Sequence, residues 1–234
     1  MTLQKTNIYI FESKCFFLTE IGFWKEGVFE NIMKKFEVDC VYIDNPYFTI
    51  IPLEIWNYTS EKYKKEVAAN NKNLQYIASK NNSIESYIYW GNAIEVHKKI
   101  QNNSPQSTIK HFSESMIGFI NKSKNLKIFH GDKTLYISSF SDGKLTLVNR
   151  FNVESMDDSL YYFLSVVKES NFIAHEFNLE YMGIEKKPLI SKIKDRLKTK
   201  LKVVLYVKKL RQNTYYLCRH LSSHQDQVRK VLML

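Results

Sequence analysis

Few residues of this chain stand in a pattern that does chemistry. The nearest to one is Cys218, His220 and His224, a C-x-H-x3-H cluster. On a helix the two histidines would share a face, and three such ligands hold zinc when a fourth arrives from elsewhere. No second Cys or His pair at zinc-site spacing accompanies them, so no metal is expected. Asp157 and Asp158 are adjacent carboxylates, but they follow Ser155 at a helix start, where the dipole and unpaired N–H groups favour anions. His97, near Ala93 and Ile100, reads as a packed or partly exposed helix histidine. No nucleophile sits in a recognisable turn, so no Ser/His/Asp or Cys/His triad is inferred. The chain has seven glycines, and none forms a G-x-G-x-x-G or G-x-x-x-x-G-K phosphate cradle.

The other chemically suggestive feature is charge. The formal net charge is +10, yet residues 1–185 carry −2 and residues 186–234 carry +12, with fourteen Lys and Arg against Asp195 and Asp226. Lys186, Lys187, Lys192, Lys194, Arg196, Lys198 and Lys200 form a candidate patch for an anionic partner, continued by Lys202, Lys208, Lys209 and Arg211. Tyr206, Tyr215 and Tyr216 are near enough in sequence to stack on bases, which makes RNA the alternative partner. Against it, Lys outnumbers Arg and no RNA-binding motif is present, so a solvated helix face explains the same residues.

The elements that would position these residues are those of a globular protein. The 234 residues are 44% hydrophobic and 14% aromatic, enough for a substantial core. The opening MTLQKTNIYIF alternates apolar and polar letters and meets Glu12 and Lys14, so it has no uninterrupted signal-peptide core. No window approaches the ~20 apolar residues of a membrane span. Three scattered cysteines, Cys15, Cys40 and Cys218, suit a reducing compartment, and a cytoplasmic location is expected.

Short strand-like runs cover residues 7–11, 15–18 and 21–24, with the turn Glu12-Ser13-Lys14 between the first two. Val28, Phe29, Ile32, Met33 and Phe36 mark a helix, and residues 38–43 a strand closed by Asp44-Asn45-Pro46. Residues 48–51 are extended, 60–70 helical, and 74–78 and 84–90 strands. Asn92 with Glu95 predicts a capping box for the next helix. The turn-rich Gln101–Ser107 divides the chain, and Ile109, Phe112, Met116 and Ile120 predict a helix over 108–123. Residues 126–129, 134–140 and 145–151 form an antiparallel meander, joined at Gly131-Asp132 and Ser141-Asp142-Gly143, where glycine can supply positive φ. A helix capped by Ser155 and Asp158 follows, then a strand to Gly183, a helix over 190–201 and a buried strand at 203–207.

The order is βββαβαβ in the second half and a looser βββαβ in the first. It resembles the ribonuclease-H-like fold, duplicated as in the actin-like ATPases. At particular residues the chain is similar to an uncharacterised bacterial family with a degenerate actin-like fold. Those residues are Phe48-Thr49-Ile50-Ile51-Pro52, Asn149-Arg150-Phe151, Asp158 with Tyr161-Tyr162, and Tyr181-Met182-Gly183, in order across residues 5–210. The stretch after Leu210 falls outside the resemblance. The expected architecture is α/β: one ribonuclease-H-like lobe over 1–104, another over 105–210, and a basic helical segment over 211–234.

The resemblance implies a phosphate loop of the Asp-x-Gly type in the first hairpin of each lobe. The corresponding turns are Glu12-Ser13-Lys14, which has no glycine, and His130-Gly131-Asp132-Lys133, where the Asp follows the Gly. Gly183 falls where related folds pass the adenosine, although one glycine after a strand is also an ordinary helix-entry turn. Glu12, Ser13, Lys14, Gly131, Asp132, Lys133 and Gly183 are therefore read as a vestigial nucleotide cleft. A metal-dependent nuclease needs several converging carboxylates, and strand 126–130 carries none. The expectation is a pseudoenzyme without cofactor: an adaptor or scaffold for a protein partner, with self-association open. RNA binding and nucleotide sensing without hydrolysis are the alternatives.

Overall fold

The meander forms where the alternation of residues 126–151 places it, and it sets the frame for the rest. The computed structural model describes residues 5–18, 24–69, 71–117, 124–173, 177–184, 187–197 and 202–205. Strands β1 (Lys5–Phe11), β2 (Lys14–Leu18) and β3 (Trp24–Glu26) precede helix α1 (Phe29–Lys35) and strand β4 (Glu37–Ile43). An inserted unit follows: β5 (Phe48–Pro52), α2 (Leu53–Trp56), α3 (Glu61–Val67), β6 (Leu74–Asn81), a 3-10 turn (Asn82–Ile84), β7 (Ser86–Ala93) and α4 (Ile94–Asn103). Strand β8 (Thr108–His111) and helix α5 (Ser113–Ile117) come next. The second half runs β9 (Asn125–His130), β10 (Thr134–Ser141), β11 (Lys144–Asn152), α6 (Met156–Glu169), β12 (Asn178–Gly183), α7 (Lys187–Leu197) and β13 (Lys202–Leu205).

Two five-stranded sheets repeat one topology, in the orders β3-β2-β1-β4-β8 and β11-β10-β9-β12-β13. In each, an antiparallel meander is extended by two parallel strands beside its first strand. The ribonuclease-H-like order read in the sequence is thus present in both lobes. The insertion makes a small antiparallel sheet, β5-β7-β6.

Every residue of β9 is buried, as is all of β10 up to Phe140, because both faces of this sheet are covered. Leu126, Ile128 and Ile137 pack against Phe163, Val167 and Ile193 of α6 and α7. A second cluster is shared between the sheets: Tyr9, Phe11, Phe16 and Tyr42 from the first lobe meet Phe129, Tyr136 and Met182 from the second, with Phe112 and Met116 between. Phe11 lies edge-on to Phe129 at 4.7 Å and tilted to Phe112 at 4.9 Å. The lobes therefore share one aromatic core. Large side chains touching on all sides in this way resist independent movement of the lobes.

Four readings of local sequence are corrected. The helix expected over 108–123 is instead β8 followed by the short α5. Thr108-Ile109-Lys110-His111 pairs in parallel with Cys40–Ile43, so sheet completion overrides helical spacing. Residues after the turn-rich Gln101–Ser107 thereby belong to the first sheet. The capping box at Asn92 and Glu95 is not made: β7 continues to Ala93, which stands at the helix start with no side-chain cap. The strand expected from Ile84 begins at Ser86, after the 3-10 turn. Gly131 does not have a positive φ, whereas Asp142 and Gly143 do, at 52° and 78°. The capping box of α6 is formed by Ser155 and Asp158 as expected.

Candidate functional site: two hairpins and a groove between sheet edges

β1 and β9 hold equivalent places in their sheets, and the hairpins that follow them meet. The first is a two-residue turn closed by the pair Phe11 and Lys14. Glu12 and Ser13 take positive φ, 48° and 63°, the left-handed geometry of a type I′ turn usually filled by Asn or Gly. The turn aims the Glu12 side chain across to the other lobe. One carboxylate oxygen, Oε2, accepts from the backbone N–H of Asp132 at 2.9 Å, and Oε1 from that of Lys133 at 2.7 Å. In return Lys14 Nζ approaches the Asp132 carboxylate at 3.7 Å.

Gly131 is required by this approach. A Cβ there would lie 2.5 Å from Phe11 Cε1 and 2.6 Å from Glu12 Oε1. Gly183, with φ +93°, pairs with His130, and a Cβ on it would fall on the His130 carbonyl oxygen. Its glycine is explained by this backbone contact. Of the sequence-derived cleft residues, Glu12, Lys14, Gly131, Asp132 and Lys133 thus meet directly. Gly183 borders them, and Ser13 shapes the turn and is exposed.

Beneath the hairpins lies a second tie that the sequence reading missed. Arg150 on β11 grips Asp44, at the end of β4, with Nε to Oδ1 at 2.7 Å and Nη2 to Oδ2 at 3.2 Å. Tyr136 Oη donates to the same Oδ1 at 2.8 Å. The Asp44 and Arg150 side chains are only 6% and 12% exposed. Burial works against the Arg150 charge, yet the Asp44 contact keeps its pKa above the ordinary value, and the Tyr136 phenol is pushed well up by burial and by Asp44. Both groups keep their protons. His111, at the end of β8, holds the turn that presents Asp44. Its Nδ1 accepts from the Ser113 hydroxyl at 2.7 Å and from the Ser113 backbone N–H at 3.2 Å, so Nε2 carries the proton and donates to the Asn45 carbonyl at 2.7 Å. Burial lowers the His111 pKa to about 4, which keeps the ring neutral. Asp44 was visible only as part of a turn signal, and Arg150 only inside the Asn149-Arg150-Phe151 motif. Their pairing across more than a hundred residues left no local trace.

The described surface also contains a groove of about 430 Å³ between the inserted sheet and the second lobe. Phe48, Thr49 and Ile50 of β5 form one wall, and Leu145, Leu147 and Asn149 of β11 the other. Among the described residues each of these strands pairs on one side only, β5 with β7 and β11 with β10.

The model of a family of proteins of unknown function, DUF3822, matches residues 29–201. The chain belongs to that family. Among solved structures it is similar to a Bacteroides thetaiotaomicron protein of actin-like ATPase fold and unknown function, with 18% identity and a TM-score of 0.71 over 87% of this chain and 91% of that one. It is also similar to a chain of the PilM–PilN type IV pilus biogenesis complex, with 9% identity and a TM-score of 0.52 over 87% of this chain and 89% of that one. No curated protein matches the sequence. The fold is that of the actin-like ATPases, and the resemblance read from the short motifs holds for this DUF3822 member.

The basic patch is only partly within view. Lys186, Lys198 and Lys200 lie outside the described residues, as does the segment 211–234 with Cys218, His220 and His224. Lys192 Nζ is 2.8 Å from Asp157 Oδ1, so part of its charge is answered from within the protein, while Lys194 and Arg196 are exposed. Among the described residues no group of three or more His, Cys, Asp and Glu is placed to hold a metal ion, and no helix is long and apolar enough to cross a membrane. Burial pushes the thiols of Cys15 and Cys40 up to about 12, which leaves both protonated and unreactive near neutral pH.

Proposed function

We propose that this actin-like chain is a non-catalytic adaptor that holds an extended segment of a protein partner in the groove between β5 and β11. The observation that carries the reading is the groove itself, flanked by two strands that each have one unpartnered edge. A strand laid between such edges gains main-chain hydrogen bonds on either side, and its alternate side chains enter the groove. The hairpin end argues in the same direction. A nucleotide triphosphate bound there would have to displace Glu12 from the amides of Asp132 and Lys133 and part Lys14 from Asp132. The PilM-containing neighbour, known as a complex with a second protein, gives the reading a structural parallel.

Two measurements test it. Calorimetric titration with Mg-ATP is expected to give no heat of binding and no turnover; tight binding with hydrolysis defeats the non-catalytic reading. Pull-down from the native cell is expected to retain the same protein with and without ribonuclease, and to lose it when Thr49→Lys and Asn149→Lys fill the groove with charge. Loss on ribonuclease treatment would favour the alternative, an RNA-binding factor using Lys194 and Arg196 of α7.

A further inference from the structure

The inserted sheet β5-β7-β6 has two edges, and the groove borders one of them, β5. The other edge is β6, eight residues that pair with β7 in an unbroken antiparallel register, from Leu74 with Ala93 to Asn81 with Ser86. Among the described residues nothing pairs with its far side. Natural sheets blunt such an edge with proline, a bulge, charged side chains or a very short strand. β6 has no proline and no register shift, and its one charged residue is Lys80. Gln75, Ala78 and Lys80 are exposed along it.

The register fixes which main-chain groups face outward. Ile94 N–H donates to the Asn73 carbonyl at 3.3 Å, one step before the Leu74–Ala93 pair, so Asn73, Gln75, Ile77, Ser79 and Asn81 exchange hydrogen bonds with β7. The N–H and C=O groups of the alternate residues point away from β7. Leu74 N–H is taken up by the Asn71 carbonyl at 3.2 Å, which leaves Tyr76, Ala78 and Lys80 as the outward set. Read antiparallel to itself, this set is its own complement. With a two-fold axis at Ala78, Ala78 meets Ala78 of the second copy and Tyr76 meets Lys80 in both directions, each pair exchanging both of its N–H···O bonds. A lysine ammonium beside a tyrosine ring is favourable, and two alanines leave the axis uncrowded. An axis at Lys80 would set that lysine against itself, and one at Tyr76 would bring Lys80 to Lys72; like charges directly opposite are destabilising.

The helices on the outer face of the same sheet carry exposed apolar surface. α3 buries Lys64, whose Nζ lies 3.5 Å from the centre of the Trp56 ring, and leaves Tyr63 and Val67 exposed. With Ile55 and Tyr58 beside α2, these are four of the eight large apolar side chains that stand exposed among the described residues, so the inserted unit is where such surface gathers.

We infer that β6 pairs with β6 of a second copy of this chain, joining the two inserted sheets into one continuous sheet across a two-fold axis. The shared edge is short, so the dimer forms and dissociates with concentration. It uses the edge opposite the groove and leaves both grooves open.

Sedimentation velocity of the full chain, over about a hundredfold range of concentration reaching ~200 μM, tests the pairing. The intact chain is expected to shift from one chain to two. Over the same range the amides of Tyr76, Ala78 and Lys80 are expected to gain at least about tenfold protection from hydrogen exchange, while those of Gln75, Ile77 and Ser79 stay protected throughout. Ala78→Lys and Ala78→Glu each set like charges on the axis and are expected to remain single chains; mixed in equal amounts, they are expected to restore the dimer. Ala78→Pro removes an outward N–H without touching the β7 ladder and is expected to abolish pairing. Thr49→Lys, in the groove, is expected to leave the dimer as it is. An intact chain that stays single at the highest concentration overturns the inference, as does a dimer that persists in all three Ala78 variants or one that the mixture fails to restore. The groove reading is decided separately by its own pull-down.

Discussion

The two lobes share a strand order but fasten to each other with opposite chemistry. At both inter-lobe ties the first lobe supplies a carboxylate, Glu12 at the hairpins and Asp44 at the end of β4. The second lobe supplies the donors to those carboxylates, the amides of Asp132 and Lys133, the Arg150 guanidinium and the Tyr136 hydroxyl, while the Lys14–Asp132 ion pair at the hairpins runs the other way. The first hairpin reaches out with a side chain and needs no glycine. The second receives with its backbone, and its Gly131 makes the space. Duplicated topology therefore fixes where the ends of strands meet, while residue type at a few positions decides whether the meeting point stays open or closes on itself.

The deepest tie should be the costliest to break. Arg150→Ala strands the Asp44 carboxylate beneath the hairpins, and removing one partner of a buried pair is expected to lower stability by about 3–5 kcal/mol. Urea denaturation, read at an unchanged slope, measures the loss; a loss below ~1 kcal/mol would place the pair with ordinary surface contacts.

The turn that presents Asp44 adds a pH dependence. His111 ionises at about 4 in the folded chain against 6.5 for the ordinary side chain. Between those values the unfolded chain binds a proton that the folded chain refuses. The His111 contribution is thus complete above the upper value and is lost as pH falls toward the lower, by about 3 kcal/mol. Glu114, whose pKa burial raises, has the opposite sign, since its protonation on acidification favours the folded state. The difference in denaturation midpoint between the intact chain and His111→Gln, followed from pH 7 to pH 4, isolates the histidine.

Gly131→Ala tests the receiving hairpin. The added methyl meets Phe11 and Glu12 at once, and overpacking of this kind costs about 1–3 kcal/mol. Combined with Glu12→Gly, part of the loss should be recovered, because one of the two clashing groups is gone. A double-mutant cycle with zero coupling would show that the carboxylate does not press on position 131.

Ser155→Ala is the mildest. It removes the cap of α6, whose Ser159 lies 2.9 Å from His130 Nε2 at the base of the receiving hairpin, and is expected to cost about 1 kcal/mol by thermal melting. Faster amide exchange at Asp132 in this variant would show that the helix cap also steadies the hairpin.

The sequence by itself determined what repeats at short range. The meander was legible because apolar letters alternate and Ser141-Asp142-Gly143 is a turn by its own conformational preference. The α6 cap was legible because Ser155 and Asp158 satisfy each other's backbone groups locally. The basic bias after Lys186 and the absence of any glycine-rich phosphate cradle were likewise matters of composition and spacing. Tertiary structure decided everything that depends on residues distant in the chain. Ile109, Phe112 and Met116 carry helical spacing, yet Thr108–His111 became a strand because β4 offered an unpaired edge. Gly131 looked like a φ-positive turn residue and proved to be a gap that the first hairpin fills. Asp44 and Arg150 looked like turn and strand residues until the fold buried them together. Local preference is a property of a few neighbouring dihedral angles, whereas a buried ion pair or an amide pair held by a distant carboxylate exists only once two sheets have met.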